Sequence, residues 1–203
     1  MFKINIDMST KKIFGAVLAG GKSSRMGEDK AILSWRNKTM LENAVEILEK
    51  QTIGVVICSN NEMHDLKGKI RLQDRVESNG PVSGIITALT YFSPESVLII
   101  ACDMPFVSHS IIYYLINEDD AKYDAIVYEH SGNKEPLCAI YHSAALTVIE
   151  NAFREREFKL HAILQRMNVK YLQPEDPEKL PKTSVFTNIN TPDDYQKAKI
   201  KTL

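Results

Sequence analysis

The sequence predicts an α/β fold, a three-layer sandwich built on a mostly parallel sheet, and three observations predict it. Short runs rich in β-branched and other apolar residues recur along the chain. Stretches with helical periodicity separate the early runs. The runs are continuously apolar rather than alternating, as strands covered by helices on both faces require.

Taken in order, IFGAVLA (13 to 19) is the first expected strand. A helix follows in which Met40, Leu41, Ala44, Val45, Ile47 and Leu48 share a face, with Glu42, Glu46, Glu49 and Lys50 largely opposite. IGVVICS (53 to 59) is the second strand, and a short third one precedes Asp74. GPVSG (80 to 84) is expected to turn tightly into a helix, IITALTYF. SVLIIAC (96 to 102), DAIVY (124 to 128) and LCAIYH (137 to 142) read as further strands, and AALTVIENAF (144 to 153) and HAILQRM (161 to 167) as helices. A proline-rich approach, 174 to 181, leads to a final short helix. There Thr191 offers a capping hydroxyl, Pro192 takes the first helical position, and Asp193 and Asp194 sit in the positive first turn.

At 203 residues and 44% hydrophobic, the chain suits one substantial core, so residues 1–203 read as a single domain with 1–12 as a loose extension. A net charge of -1 with intermixed signs argues against nucleic acid and anionic membrane as partners. The start lacks the apolar run of a secretory signal, and no apolar stretch approaches the roughly 18 residues that span a bilayer, so a cytoplasmic protein is expected. Cys58, Cys102 and Cys138 lie far apart in or beside apolar runs, as reduced core thiols do. His64, His109, His130, His142 and His161 are scattered and suggest neither a metal cluster nor a catalytic triad.

In such folds ligands bind beyond the carboxyl ends of the strands. The segment after the first strand, GGKSSRMGEDK, packs three glycines, two hydroxyls and three-fold basic charge into eleven residues. Gly20 and Gly21 allow consecutive N–H groups to turn toward an anion, while Arg25 and Lys30 can add a planar fork and a point charge. A phosphate-binding loop is expected, with an ordinary glycine turn carrying solvated charges as the alternative, although the segment fits neither the GxxxxGK[ST] nor the GxGxxG spacing.

LAGGKSSRMGEDK resembles the signature LAGGxSxRMGxDK of molybdenum cofactor guanylyltransferases. NGPVSGI (79 to 85), ACDMPF (101 to 106), KEPLCAIY (134 to 141) and NINTPDD (188 to 194) extend the resemblance over nearly the whole chain. It implies the Rossmann-like sheet of the nucleotide-diphospho-sugar transferase type, with a nucleotide-binding half (13–103) and an acceptor-binding half (104–203). It further implies GMP transfer from GTP to molybdopterin with release of pyrophosphate. Gly20 bears on base choice, because similar cytidylyl-transferring relatives more often carry LAAG.

The same resemblance implies residue roles. Asp103 would hold Mg²⁺, a hard cation suited to carboxylate and phosphate oxygens, although an Asp before Pro105 could also cap a helix. Leu18, Ala19, Gly20 and Gly21 would cradle the triphosphate, with Arg25 and Lys30 neutralising charge as pyrophosphate departs. Asn60, with Asn61 as its immediate competitor, and Asp74 would contact the guanosine. Lys134, Asn188 and Asn190 would face the molybdopterin. Transient contact with cofactor biosynthesis or acceptor proteins is expected. The rival expectations are a cytidylyl or sugar-1-phosphate nucleotidyltransferase using the same loop and Asp103, or a non-catalytic GTP-binding module.

Overall fold

The first strand, β1 (Ile13–Leu18), is buried on both faces and lies in the interior of the sheet. The computed structural model describes residues 12–20, 29–76, 79–130, 132–173 and 183–200. Gly21, Arg25, the N-terminal extension up to residue 11 and the proline-rich stretch 174 to 181 lie outside the described residues.

After β1 come a 3-10 turn, Lys30–Ile32, and a two-strand ribbon, β2 (Ser34–Trp35) and β3 (Lys38–Thr39). Thr39 then caps α1 (Met40–Glu49) in a reciprocal box: its hydroxyl accepts from the Glu42 N–H, and the Glu42 carboxylate accepts from the Thr39 N–H. Such a cap contributes about 1 kcal/mol. The chain continues through β4 (Val55–Cys58), β5 (Ile70–Leu72), α2 (Pro81–Phe92), β6 (Ser96–Ala101) and α3 (His109–Asn117). The remaining elements are β7 (Ala125–His130), β8 (Asn133–Tyr141), α4 (Ser143–Arg154), α5 (Leu160–Leu164), β9 (Val169–Leu172) and α6 (Pro192–Ile200).

Seven strands form one sheet in the order β5-β4-β1-β6-β8-β7-β9. Strands β5, β4, β1 and β6 run parallel, as do β7 and β9, while β8 runs against both neighbours. The mostly parallel expectation therefore holds for this sheet, with β8 the exception among its described strands. Successive residues of β6 serve opposite faces. Leu98 and Ile100 pack in the core that includes Leu41 and Val45 of α1 and Ile111 of α3, whereas Val97 and Ile99 join Ile85 and Leu89 of α2 and Ile149 of α4. A strand with period-two side chains can be apolar throughout only when both faces are covered.

Two of the element boundaries that differ from expectation bear on the site. The helix expected after a turn over 80 to 84 already starts at Pro81, because a proline at the first helical position arrives with its φ preset and lacks only an N–H that would have had no partner. Gly80 makes the turn alone, at a φ of +68°. Gly84 lies within the helix, where a Cβ would approach Leu18 Cδ2 to 3.0 Å, so its bareness lets α2 settle on the end of β1. Strand β8 begins at Asn133 rather than 137, because the polar pairs His130↔Asn133 and Glu129↔Lys134 continue the hairpin beyond the apolar run.

A third, smaller cluster contains Trp35, Met40, Ile189 and Ala198, with Leu33, Phe106 and Tyr195 against it. It fastens α6 and the segment before it to the β2–β3 ribbon, aided by the Tyr195 hydroxyl, which donates to the Ser34 carbonyl at 2.5 Å. The expected cap of α6 is present: Asp194 N–H donates to the Thr191 hydroxyl at 3.1 Å, and the Asp194 carboxylate accepts from Thr191 N–H at 2.9 Å. The three cysteines are free and buried, as expected.

Candidate functional site

The carboxyl ends of β1, β4, β5 and β6 form one continuous edge, since each ladder extends one residue past its strand. Ala19 N–H donates to the Cys58 carbonyl, Cys102 N–H to that of Leu18 and Ser59 N–H to that of Leu72. Leu18, Ala19 and Gly20 thus lead straight off the interior of the sheet. A Cβ on Gly20 would meet no described heavy atom within 4 Å, so internal packing does not account for glycine there. Gly21 and Arg25 are outside the described residues.

Lys30 opens its 3-10 turn under a cap from Asp29, whose Oδ1 accepts the Ala31 N–H at 3.0 Å. Its Nζ lies 3.4 Å from Asp103 Oδ2 and donates to Asn190 Oδ1 at 2.6 Å. Lysine at the start of a helical turn meets the wrong end of the peptide dipoles and needs anions nearby, which Asp103 and the Asp29 cap supply. Asp103 stands in the turn between β6 and α3 and does not cap the helix, whose N-cap is Ser108. Its backbone carbonyl accepts from Ile189 N–H at 2.9 Å. Because Ile189 is fully buried, that bond pins Asn188 and Asn190 on either side of it beside the Asp103 turn.

Burial pushes the Asp103 carboxyl above the usual aspartate range, and Lys30 only partly offsets this. A carboxylate so placed gains from a further cation. Among the described residues no group of three or more His, Cys, Asp or Glu side chains could hold a metal. The Asp103 carboxylate suits an ion such as Mg²⁺, which accepts one or two carboxylates and takes its other oxygens from substrate phosphates and water.

Asn60 and Asp74, the residues following β4 and β5, pair reciprocally. Asn60 Nδ2 donates to Asp74 Oδ2 at 2.9 Å, and Asp74 N–H donates to Asn60 Oδ1 at 2.8 Å. Asn60 is exposed at the edge. Asn61 is committed otherwise: its Oδ1 caps a 3-10 turn through Met63 N–H, and its Nδ2 donates to Asp29.

At the positions expected to face the acceptor, Asn188 Oδ1 is buried with no hydrogen-bond partner among the described residues, and Asn190 already holds Lys30. Lys134 reaches the same edge because β8 is reversed: Cys138 pairs with Ile100, so residues earlier in β8 run outward past the carboxyl end of β6. Its Nζ rests 4.5 Å from the centre of the Tyr171 ring. No described contact joins it to Lys30 or Asp103.

Three participants escape the sequence reading. His64 lies between Ser59 Oγ, 2.6 Å from Nδ1, and Asp29 Oδ2, 2.8 Å from Nε2. Ser, His and Asp thus line up here. Ser59 is buried, so this is a hydrogen-bonded brace and not an exposed nucleophile. Asp29 stands beside the more obvious Lys30 in the sequence. His130 bonds Glu135 at 2.7 Å and stacks on Phe186, with its Nδ1 buried and without a partner among the described residues. The available signal for the first two was the adjacent Asp–Lys pair and a serine and histidine just after a predicted strand.

The MobA-like NTP transferase domain matches residues 15–181. Two relatives named "Probable molybdenum cofactor guanylyltransferase" are similar over 193 residues, covering 92% of this chain and 96% of their own. The one from Bacillus mycoides (strain KBAB4) is 32% identical. The one from Bacillus cereus (strain AH187) is 33% identical. Among solved structures, molybdopterin-guanine dinucleotide biosynthesis protein A from Archaeoglobus fulgidus superposes with a TM-score of 0.80 at 30% identity, covering 93% of this chain and 98% of that one.

Proposed function

The chain belongs to the MobA-like NTP transferase family and is a nucleotidyltransferase, and on that premise we propose that it transfers GMP from GTP to molybdopterin, releasing pyrophosphate. The observation that carries this reading is the position of Lys30, whose ammonium touches Asp103 and Asn190 at once. One lysine thereby joins the strand-end carboxylate to the segment that in this reading meets the acceptor. Residues 13–103 form the nucleotide half and 104–203 the acceptor half.

Leu18, Ala19, Gly20 and Gly21 present backbone to the triphosphate, and Asn60 and Asp74 meet the guanosine. Lys30 and Arg25 neutralise charge on the departing pyrophosphate, where fixed cations matter most. Asp103 would hold Mg²⁺, which would supply further charge neutralisation on the phosphates. Lys134, Asn188 and Asn190 orient the acceptor. A phosphate oxygen of molybdopterin attacks the α-phosphorus of GTP in line, the bond to the β-phosphate oxygen breaks, and that oxygen leaves with pyrophosphate. The attacking oxygen is already anionic, so no side chain need remove a proton and positioning carries the step. Among the described residues no helix is long and apolar enough to cross a membrane. A cytoplasmic location and transient handover to partner proteins belong to the same proposal.

Thermal stabilisation by GTP, CTP, UTP and ATP, each with and without Mg²⁺, tests the nucleotide. At a concentration about 100 times Kd the right one adds about 2.7 kcal/mol. Transfer of label from α-labelled GTP to molybdopterin, with one pyrophosphate per label, tests the reaction. A CTP or UTP preference would replace guanylyl transfer by the cytidylyl or sugar-phosphate reading.

A further inference from the structure

We propose that His64 is a positioning residue for Lys30, acting through Asp29. Ser59 and His64 are buried, at 3% and 2% exposure. Ser59 Oγ accepts the Asn61 N–H at 3.0 Å, so its own proton is free to go to His64 Nδ1, 2.6 Å away. That leaves the ring proton on Nε2, which donates to Asp29 Oδ2 at 2.8 Å; the tautomer follows from the network. Asn61 Nδ2 donates to the same oxygen at 2.8 Å.

The second oxygen of Asp29 begins the turn that starts with Lys30. Both oxygens of one carboxylate are thus engaged, one by the loop after β4 and the other by the turn that carries the lysine. The spread of Lys30 is fixed from a residue 34 positions away in sequence, on a neighbouring strand end. Asn60, which pairs with Asp74, stands between Ser59 and Asn61. A three-residue run therefore supports the nucleoside side of the edge with its middle member and the phosphate-side lysine with its outer two. The brace rests on the proposed function only for what Lys30 does to substrate; its geometric part is separate.

The test compares full-length wild type with His64→Leu, His64→Gln and Asn61→Ala. His64→Gln retains an amide donor toward Asp29, and Asn61→Ala, at a half-buried position, covers the case in which His64→Leu fails to fold. Acylation of Lys30 by an amine-selective reagent, without nucleotide and read by peptide mass spectrometry, should quicken in His64→Leu and Asn61→Ala and return toward wild type in His64→Gln. With GTP and molybdopterin, kcat should fall about 10- to 100-fold in His64→Leu with a smaller change in KM for GTP, and recover in His64→Gln. Unchanged Lys30 acylation in a folded His64→Leu or Asn61→Ala overturns the proposal, as does an equal kcat loss in Leu and Gln variants of equal Tm. Should the wild type transfer no nucleotide from GTP, the proposed function fails while the acylation result still decides the brace.

Discussion

Two buried histidines sit at opposite ends of the sheet. His64, at the carboxyl end, faces a hydroxyl and a carboxylate. His142, where β8 ends beside the amino end of β6, faces the Tyr123 carbonyl at 2.6 Å and the Asp119 carboxylate at 2.8 Å. A hydroxyl can donate, so His64 needs one ring proton to satisfy both partners. Carbonyl and carboxylate only accept, so His142 must donate from both nitrogens and is held as the cation. Burial pushes its pKa down, but the Asp119 hydrogen bond and charge, the Tyr123 carbonyl and the more distant Asp124 outweigh that and raise it. Equal burial of one residue type thus yields a brace for a functional lysine at one end and a stabilising ion pair at the other. What decides is whether the second partner can give a proton.

The sharpest contrast comes from Asp103→Asn. At the carboxyl end it should lower transfer by about 10³-fold, the scale of losing a major electrostatic contact to the transition state. Stability should hold or rise, because the folded protein raises the Asp103 pKa and so disfavours its charge. Steady-state kinetics beside thermal unfolding would check both; a large fall in Tm would break the division of labour between the ends.

His142→Gln should do the reverse. Removing one member of a buried pair, with Asp119 left behind, costs about 3 kcal/mol, or roughly 6 to 12 °C in Tm, while kcat changes little. The pH dependence follows from the raised pKa. Stability that His142 contributes is full below its unfolded value near 6.5 and is lost as pH rises through the higher folded value. In urea unfolding, the advantage of wild type over His142→Gln should therefore shrink from pH 6 to pH 9. An advantage that grew with pH would contradict the cationic assignment.

The smallest expected effect is that of Gly84→Ala, about 1 kcal/mol of overpacking against Leu18. As Leu18 leads into the phosphate loop, GTP affinity should drop along with Tm. A stabilised variant with unchanged affinity would show that the helix–strand contact is looser than 3.0 Å implies.

The sequence discloses the parallel half of the fold because strands covered on both faces must be unbroken apolar runs, and β1, β4 and β6 are. It hides β2 and β3, two residues each, and β9, whose VKYL is only half-buried, since neither has a hydrophobic period to display. At the site, Lys30, Asp103, Asn60 and Asp74 are legible because each directly follows a strand or belongs to a dense charged loop. His64 and Asp29 are not, since their meaning lies in a bond between two loops that no local pattern encodes. Which asparagine lies open at the edge is likewise a tertiary matter: Asn60 meets Asp74, while Asn61 is spent on a cap and on Asp29. Asn188 and Asn190 gain their place from Ile189, whose burial against the Asp103 turn is equally nonlocal.

The single reversed strand has an evolutionary corollary. Parallel strands deliver their loops to the edge one at a time, each tied to the helix that follows, so changing one disturbs the layer behind it. Strand β8 instead brings the β7–β8 hairpin to that edge, with His130 paired to Asn133 at its tip. A hairpin can be lengthened, shortened or exchanged at its tip without moving a helix. If Lys134 meets the acceptor as proposed, descendants of this architecture could acquire new acceptors by remodelling a few residues around it while their nucleotide chemistry stays as it was.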